Sequence, residues 1–251
     1  MSFTLEIIAF NIDSCLQIEQ AGAHRIELCD NADEGGTTAS HGFIKMAREK
    51  TNLQLFPIIR PRGGDFLYSE NEFTIMQEDI KYCKELGCDG VVIGLLMENG
   101  KIDYERTARL VQLAYPMEVS FHRAFDRVSD ATVALEDVIK TGCTRILTSG
   151  LFPTAMEGRA SLRQLIKQAD ERIVIMPGSG IRSSNIVEIA QHTGAVEFHA
   201  SARTVLTSKM RYSNGQMKEE LSQVTVDPHE VGRLIQQLKN HFKILYETEK
   251  G

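Results

Sequence analysis

Short β-branched runs alternate with amphipathic helical stretches from one end of the 251-residue chain to the other. The runs are 5–10 (LEIIAF), 25–30 (RIELCD), 55–61 (LFPIIRP), 90–96 (GVVIGLL), 117–124 (MEVSFHRA), 144–149 (TRILTS), 172–178 (RIVIMPG) and 196–201 (VEFHAS). Eight such units at roughly 25–35 residue spacing are the layout of a parallel (β/α)8 barrel, a TIM barrel. An open doubly wound sheet is the competitor, and its nucleotide-binding form needs a glycine-rich turn after the first strand. Here that turn reads AFNIDSC, without a glycine. The expected fold is a single-domain TIM barrel over 1–251.

Helix start and stop signals agree with this layout. Asp13 and Ser14 precede CLQIEQAG, Ser40 precedes HGFIKMAREK, and Ser183 precedes SNIVEIAQHTG, each a polar residue able to cap a helix. Gly22, Gly87, Gly142 and Gly194 stand where helices should stop before the next strand. The polar segment 203–227 follows the last strand and precedes a final helix from Pro228 to about Glu247. It is long for a connection inside a compact fold. The expectation is an extended loop over the barrel mouth or a subunit contact.

Charge and composition narrow the partners. A net charge of −6 and a pI near 5.7 leave no basic tract for nucleic acid or an acidic membrane surface. No apolar run approaches the roughly 18 residues of a membrane span, and MSFTLEIIAF lacks the features of a signal peptide. Five scattered cysteines (Cys15, Cys29, Cys83, Cys88, Cys143) are too few for a disulfide scaffold of this size. A soluble cytoplasmic protein with reduced thiols is expected.

In such a barrel the chemistry gathers where the strands end. Strand one carries Glu6, and strand two delivers Glu27 and Cys29 on one face, since strand side chains alternate. Strand three delivers Arg60 and Arg62, then Gly63, Gly64 and Asp65; strand five delivers His122 beside Arg123 and Asp126. Strand eight supplies Glu197, His199 and Ser201. Buried carboxylates need a cation, and Arg60 is the expected partner of Glu27, in either a structural or a catalytic role. Arg62 with Gly63 and Gly64 is expected to face a ligand or to form an ordinary turn. MPGSGIRSSN brings Gly178, Ser179 and Gly180 to a helix start near Ser183, where backbone N–H groups favour an anion. Ser201 could close that site. His122 and His199 are the candidate acid–base groups. The pattern fits an isomerase, a lyase or a non-catalytic sensor, acting on a small anionic or phosphorylated metabolite.

RIELCDNADEGGTTAS, IIRPRGGDF, VSFHRAFD, RILTSG, IMPGSGI and EFHASA resemble, in order, the motifs of the CutC family, named for copper homeostasis. The resemblance runs from strand one through MRYSN (210–214). It implies a TIM barrel, a cytoplasmic location and a homo-oligomer, commonly a dimer. It also implies cuprous-ion binding by cysteines near the ends of strands one and two. The second of these is Cys29; the first falls at Ile8, which has no sulfur. Since Cu(I) favours two or more soft ligands, His122, His199 or a second subunit would have to complete such a site.

Overall fold

The structure, a computed structural model, describes residues 3–218 and 220–248. Its elements alternate: β1 (Thr4–Ala9), α1 (Ile12–Gln20), β2 (Arg25–Leu28), α2 (His41–Lys50), β3 (Gln54–Pro57), α3 (Glu70–Glu85), β4 (Gly90–Ile93) and α4 (Tyr104–Ala114). Then come β5 (Glu118–Phe121), α5 (Ala131–Thr141), β6 (Arg145–Thr148), α6 (Arg159–Ala169), β7 (Val174–Pro177), α7 (Ile186–Thr193) and β8 (Glu197–Ala200). A hairpin, β9 (Arg203–Leu206) and β10 (Gln223–Val226), leads to α8 (Pro228–Thr248). Two short 3-10 turns, Ala32–Glu34 and Arg123–Arg127, follow β2 and β5.

The first eight strands run parallel in two ladders, β3-β2-β1-β8 and β4-β5-β6-β7. A bridge between Ile58 and Val92 joins them on one side, where the Ile59 N–H donates to the Val92 carbonyl at 2.8 Å. On the other side β7 and β8 lie together, but no ladder joins them among the described residues. The TIM barrel therefore has one open seam.

Alternation separates two interiors. Leu5, Ile7, Ile26, Leu28, Leu55, Val91 and Ile93 are fully buried and join the apolar faces of the helices, such as Ile18, Ile44, Ile80 and Leu135, in one hydrophobic cluster. The intervening positions put charge inside the ring. Register sets Glu6 level with both Arg25 and His199, and Ile8 level with Glu27.

That interior corrects one expectation. Arg60 pairs with none of the barrel carboxylates. Arg25 does so instead, 3.3 Å from Glu6 and 2.9 Å from Glu197, and Arg145 reaches Glu197 at 3.3 Å and Glu118 at 2.6 Å. Both guanidiniums stack on Phe56, at 4.9 and 5.2 Å from its centroid. They begin β2 and β6, at the level where these carboxylates lie, whereas Arg60 lies beyond the end of β3.

Local signals were followed unevenly. Ser40 caps α2 by accepting the Phe43 N–H, but α1 is capped by Asn11, which accepts from Ser14. Gly142 and Gly194 end α5 and α7 in the left-handed region, at φ 88° and 76°, where a side chain would be strained. The segment 203–227 is not wholly irregular, since its two ends pair as β9 and β10. The second strand is tied to α1 by Asn11 Nδ2 donating to the Val224 carbonyl at 3.1 Å and by Ser14 and Thr225 hydroxyls 3.1 Å apart. No described helix is long and apolar enough to cross a membrane.

Candidate functional site

Past the strand ends opens a cavity of about 990 Å³. Glu27, Arg60, His122, Arg123, His199 and Arg203 help to line it, and its two walls differ in character.

The wall from β1, β2 and β8 is acidic. His199 Nδ1 lies 2.7 Å from Glu6 Oε1, and its Nε2 lies 3.7 Å from Glu27 Oε2. All three side chains are buried, and one ligand atom from each falls within 4.8 Å of the others. Burial opposes charge on His199, but the hydrogen bond to Glu6 and the charges of Glu27 and Glu6 hold its pKa above the ordinary value. Burial would likewise raise Glu6; His199, Arg25 and Arg145 together hold it below the usual carboxylate range. No arginine among the described residues forms an ion pair with Glu27, and burial pushes it up to about 7 against the pull of His199 and the charge of Arg203.

Cys29 stands behind this wall. Its side chain is fully buried in a small cluster with Ile8, Phe56, Ile58 and Val92, and it does not line the cavity. Gly36 packs so closely that a Cβ there would lie 3.0 Å from the sulfur. Burial, with Glu27 and Glu6 nearby, raises the thiol pKa well above its ordinary value, and the thiol donates to Glu27. All five cysteines are free and buried.

The wall from β3 and β5 is aromatic and cationic. Arg60 donates to the carbonyls of Glu34 and Gly36, each at 2.7 Å, and of Gly64 at 2.8 Å, and stacks on Phe66. It ties the loop after β2 to the loop after β3. Next to it His122 accepts the Ala124 N–H at Nδ1, 3.1 Å away, and packs against Phe66. Burial, reinforced by the charge of Arg60, depresses its pKa to about 3. Its Nε2 is buried without a hydrogen-bond partner among the described residues. Gly94 backs the ring, where a Cβ would come within 2.3 Å of it. Arg123 donates from Nε to Asp126 at 2.7 Å and from Nη2 to Ser149 at 2.9 Å. Asp126 is itself held by the backbone N–H groups of Ser149 and Leu151 and by the Thr148 hydroxyl.

The expected ligand face at Arg62, Gly63 and Gly64 takes a different form. Arg62 spends its guanidinium on Glu72, on Asp65 and on the carbonyls of Gly63, Asp65 and Leu67. It braces its own loop and does not line the cavity. The double glycine answers to packing: a Cβ at Gly63 would fall 2.2 Å from the Glu34 carboxylate, and Gly64, which does line the cavity, has φ 78°.

The glycine-rich turn after β7 is also partly self-satisfied. Ser179, Gly180 and Ser201 line the cavity; Gly178 does not, and a Cβ there would lie 2.4 Å from Leu147. Ser179 Oγ donates to the Pro153 carbonyl at 2.8 Å. The helix begins at Ile186, and the Ser183 N–H and hydroxyl both donate to Glu230 of α8, at 2.7 and 2.9 Å. The anion expected at Ser183 is thus a carboxylate of the same chain.

Arg25 and Arg145 are the cationic partners of the barrel carboxylates, and they lie at strand starts, away from the strand ends where the mouth forms. Their signal was present: Arg25 shares a face with Glu27 in RIELCD, and Arg145 opens RILTS.

Comparison with known proteins gives a consistent picture. Residues 3–204 match the CutC family. A CutC protein of Chromobacterium violaceum is 52% identical over 215 residues, 86% of this chain and 87% of that one. A human relative, named copper homeostasis protein cutC homolog, is 44% identical over 86% of this chain and 79% of its own. A crystal structure of CutC from Streptococcus agalactiae superimposes with a TM-score of 0.75 at 36% identity, covering 79% of this chain and 98% of that one.

Proposed function

The chain belongs to the CutC family, and from that membership together with the geometry of the mouth we propose that it serves copper homeostasis in the cytoplasm as a homo-oligomer. The observation that carries the metal part of this reading is the trio Glu6, Glu27 and His199, whose ligand atoms lie within 4.8 Å of one another beside the cavity.

The donor set decides which copper ion it suits. Cu(I) prefers thiolates and thioethers. Cys29 is one sulfur, held as a thiol against Glu27, with Ile8 beside it in place of a second, so a cysteine-pair site does not fit this chain. Imidazole and carboxylate donors suit divalent copper. Glu27 and His199 would hold the ion, while Glu6 at Nδ1 fixes the ring so that Nε2 faces Glu27, a common supporting arrangement for a ligating histidine.

The oligomer reading is supported by the arm formed by β9 and the segment that leads from it to β10. Val205, Leu206, Met210, Tyr212 and Met217 are all exposed there, Tyr212 at 74%. Exposed apolar surface of this kind favours a contact with another chain, and a second copy is the occupant proposed.

The test is titration of metal-free protein with Cu(II), and separately with Cu(I) under anaerobic conditions against a competing chelator. We expect Cu(II) binding that is lost in His199→Ala and Glu27→Gln and retained in Cys29→Ala. Cu(I) binding that vanishes in Cys29→Ala and survives His199→Ala would replace this site with a cysteine-based one. Absence of copper binding of either kind would remove the metal role altogether.

A further inference from the structure

The β5 side of the mouth carries two donors that neither the fold nor the proposed metal site uses. The first is His122. Because its Nδ1 accepts a backbone N–H, the ring proton sits on Nε2. That N–H is buried, has no partner among the described residues, and belongs to a side chain only 4% exposed that lines the cavity. Buried donors of this kind are rare in folded proteins and call for an occupant. Gly94, Ala124 and Phe66 fix the ring from three sides, so it cannot turn to find a partner elsewhere.

The second is Arg123. Asp126 and Ser149 hold its Nε and Nη2, while no described hydrogen bond uses Nη1. The side chain is 42% exposed and lines the same cavity. Its charge is felt at His199 across the mouth. A guanidinium pinned by a buried carboxylate, with both N–H groups of Nη1 left over, is preorganised for an oxyanion.

We infer that the β5 side of the mouth binds a small phosphate- or carboxylate-bearing organic molecule, its anionic group on Arg123 and an uncharged oxygen on the Nε2–H of His122. A carbonyl, hydroxyl or ester oxygen serves for the second contact, because a neutral imidazole N–H donates to oxygen without requiring charge. The cavity volume of about 990 Å³ accommodates a metabolite-sized ligand. The ligand would lie against Glu27 and His199 on the opposite wall, but its binding does not depend on a metal there.

The test uses metal-free protein, so that it stands apart from the copper titration. Binding of inorganic phosphate, glycerol 3-phosphate and pyruvate is measured by calorimetry, with uncharged glycerol as the control. The His122 Nε2–H is followed by ¹⁵N NMR. We expect at least one anionic probe to bind at millimolar concentration or below and to shift the His122 resonance. Arg123→Gln, which leaves Asp126 its hydrogen bonds from Thr148, Ser149 and Leu151, should weaken it by about tenfold or more. Preference for phosphate or for pyruvate identifies which anionic group the site takes. No binding of any anionic probe, binding unchanged in Arg123→Gln, or binding that leaves His122 unshifted would each overturn the inference.

Discussion

The two histidines that face the mouth are held in opposite states by the walls behind them. His199 stands between Glu6 and Glu27 and is stabilised as a cation. His122 stands among Phe66, Phe121 and the charge of Arg60 and is stabilised as a neutral donor. The residue type is the same and both are buried, so burial alone does not decide the outcome. The neighbours do: carboxylates outweigh desolvation on one wall, and a guanidinium adds to it on the other.

The largest way to disturb this contrast is from below. Arg25→Met would remove the guanidinium that Glu6 and Glu197 share, and removing one partner of a buried pair costs about 3–5 kcal/mol. Chemical denaturation should show that loss, and parental stability would mean that Arg25 does not support the acidic wall. On the opposite wall Gly94→Ala would force a methyl into the His122 ring, costing about 1–3 kcal/mol by overpacking. If Gly94→Ala folds with parental stability and an unmoved His122, the tight seat of that ring is wrong.

A smaller effect is expected with pH. His122 has a folded pKa of about 3, below the ordinary value near 6.5, so the unfolded chain takes up its proton first. Its contribution to stability is complete above about pH 6.5 and is lost as pH falls towards 3, at up to about 1.4 kcal/mol per unit. Replacing His122 by Phe should flatten the stability–pH curve in that window; an unchanged slope would mean that His122 is not held neutral. The smallest effect belongs to Cys29→Ala. The lost sulfur leaves a small cavity in the Ile8–Phe56 cluster, costing about 1 kcal/mol in a denaturation curve, and both histidines should keep their states.

The sequence made the barrel legible and left the charge network hidden. β-branched runs and alternation mark strands locally, so the eight windows met the strands to within two residues at their starts. Partners across a barrel are not local. Arg60 looks like the natural cation for Glu27 because both lie near strand ends, yet pairing depends on height in the ring, and Arg25 and Arg145 occupy that height. The same reason hid the fate of Ser183, whose donors are taken by Glu230, a residue 47 positions away on α8. His122 and His199 were found because a strand-end histidine is a local signal, but what separates them is contributed by other strands.

The measurement that tests the contrast most directly is a ¹⁵N NMR titration of both imidazoles in the metal-free protein between pH 5 and 8. We expect His122 to remain neutral with its proton on Nε2 throughout, and His199 to lose its proton only above the ordinary histidine value of about 6.5. Two histidines titrating together near that value would contradict the division of the mouth into unlike walls.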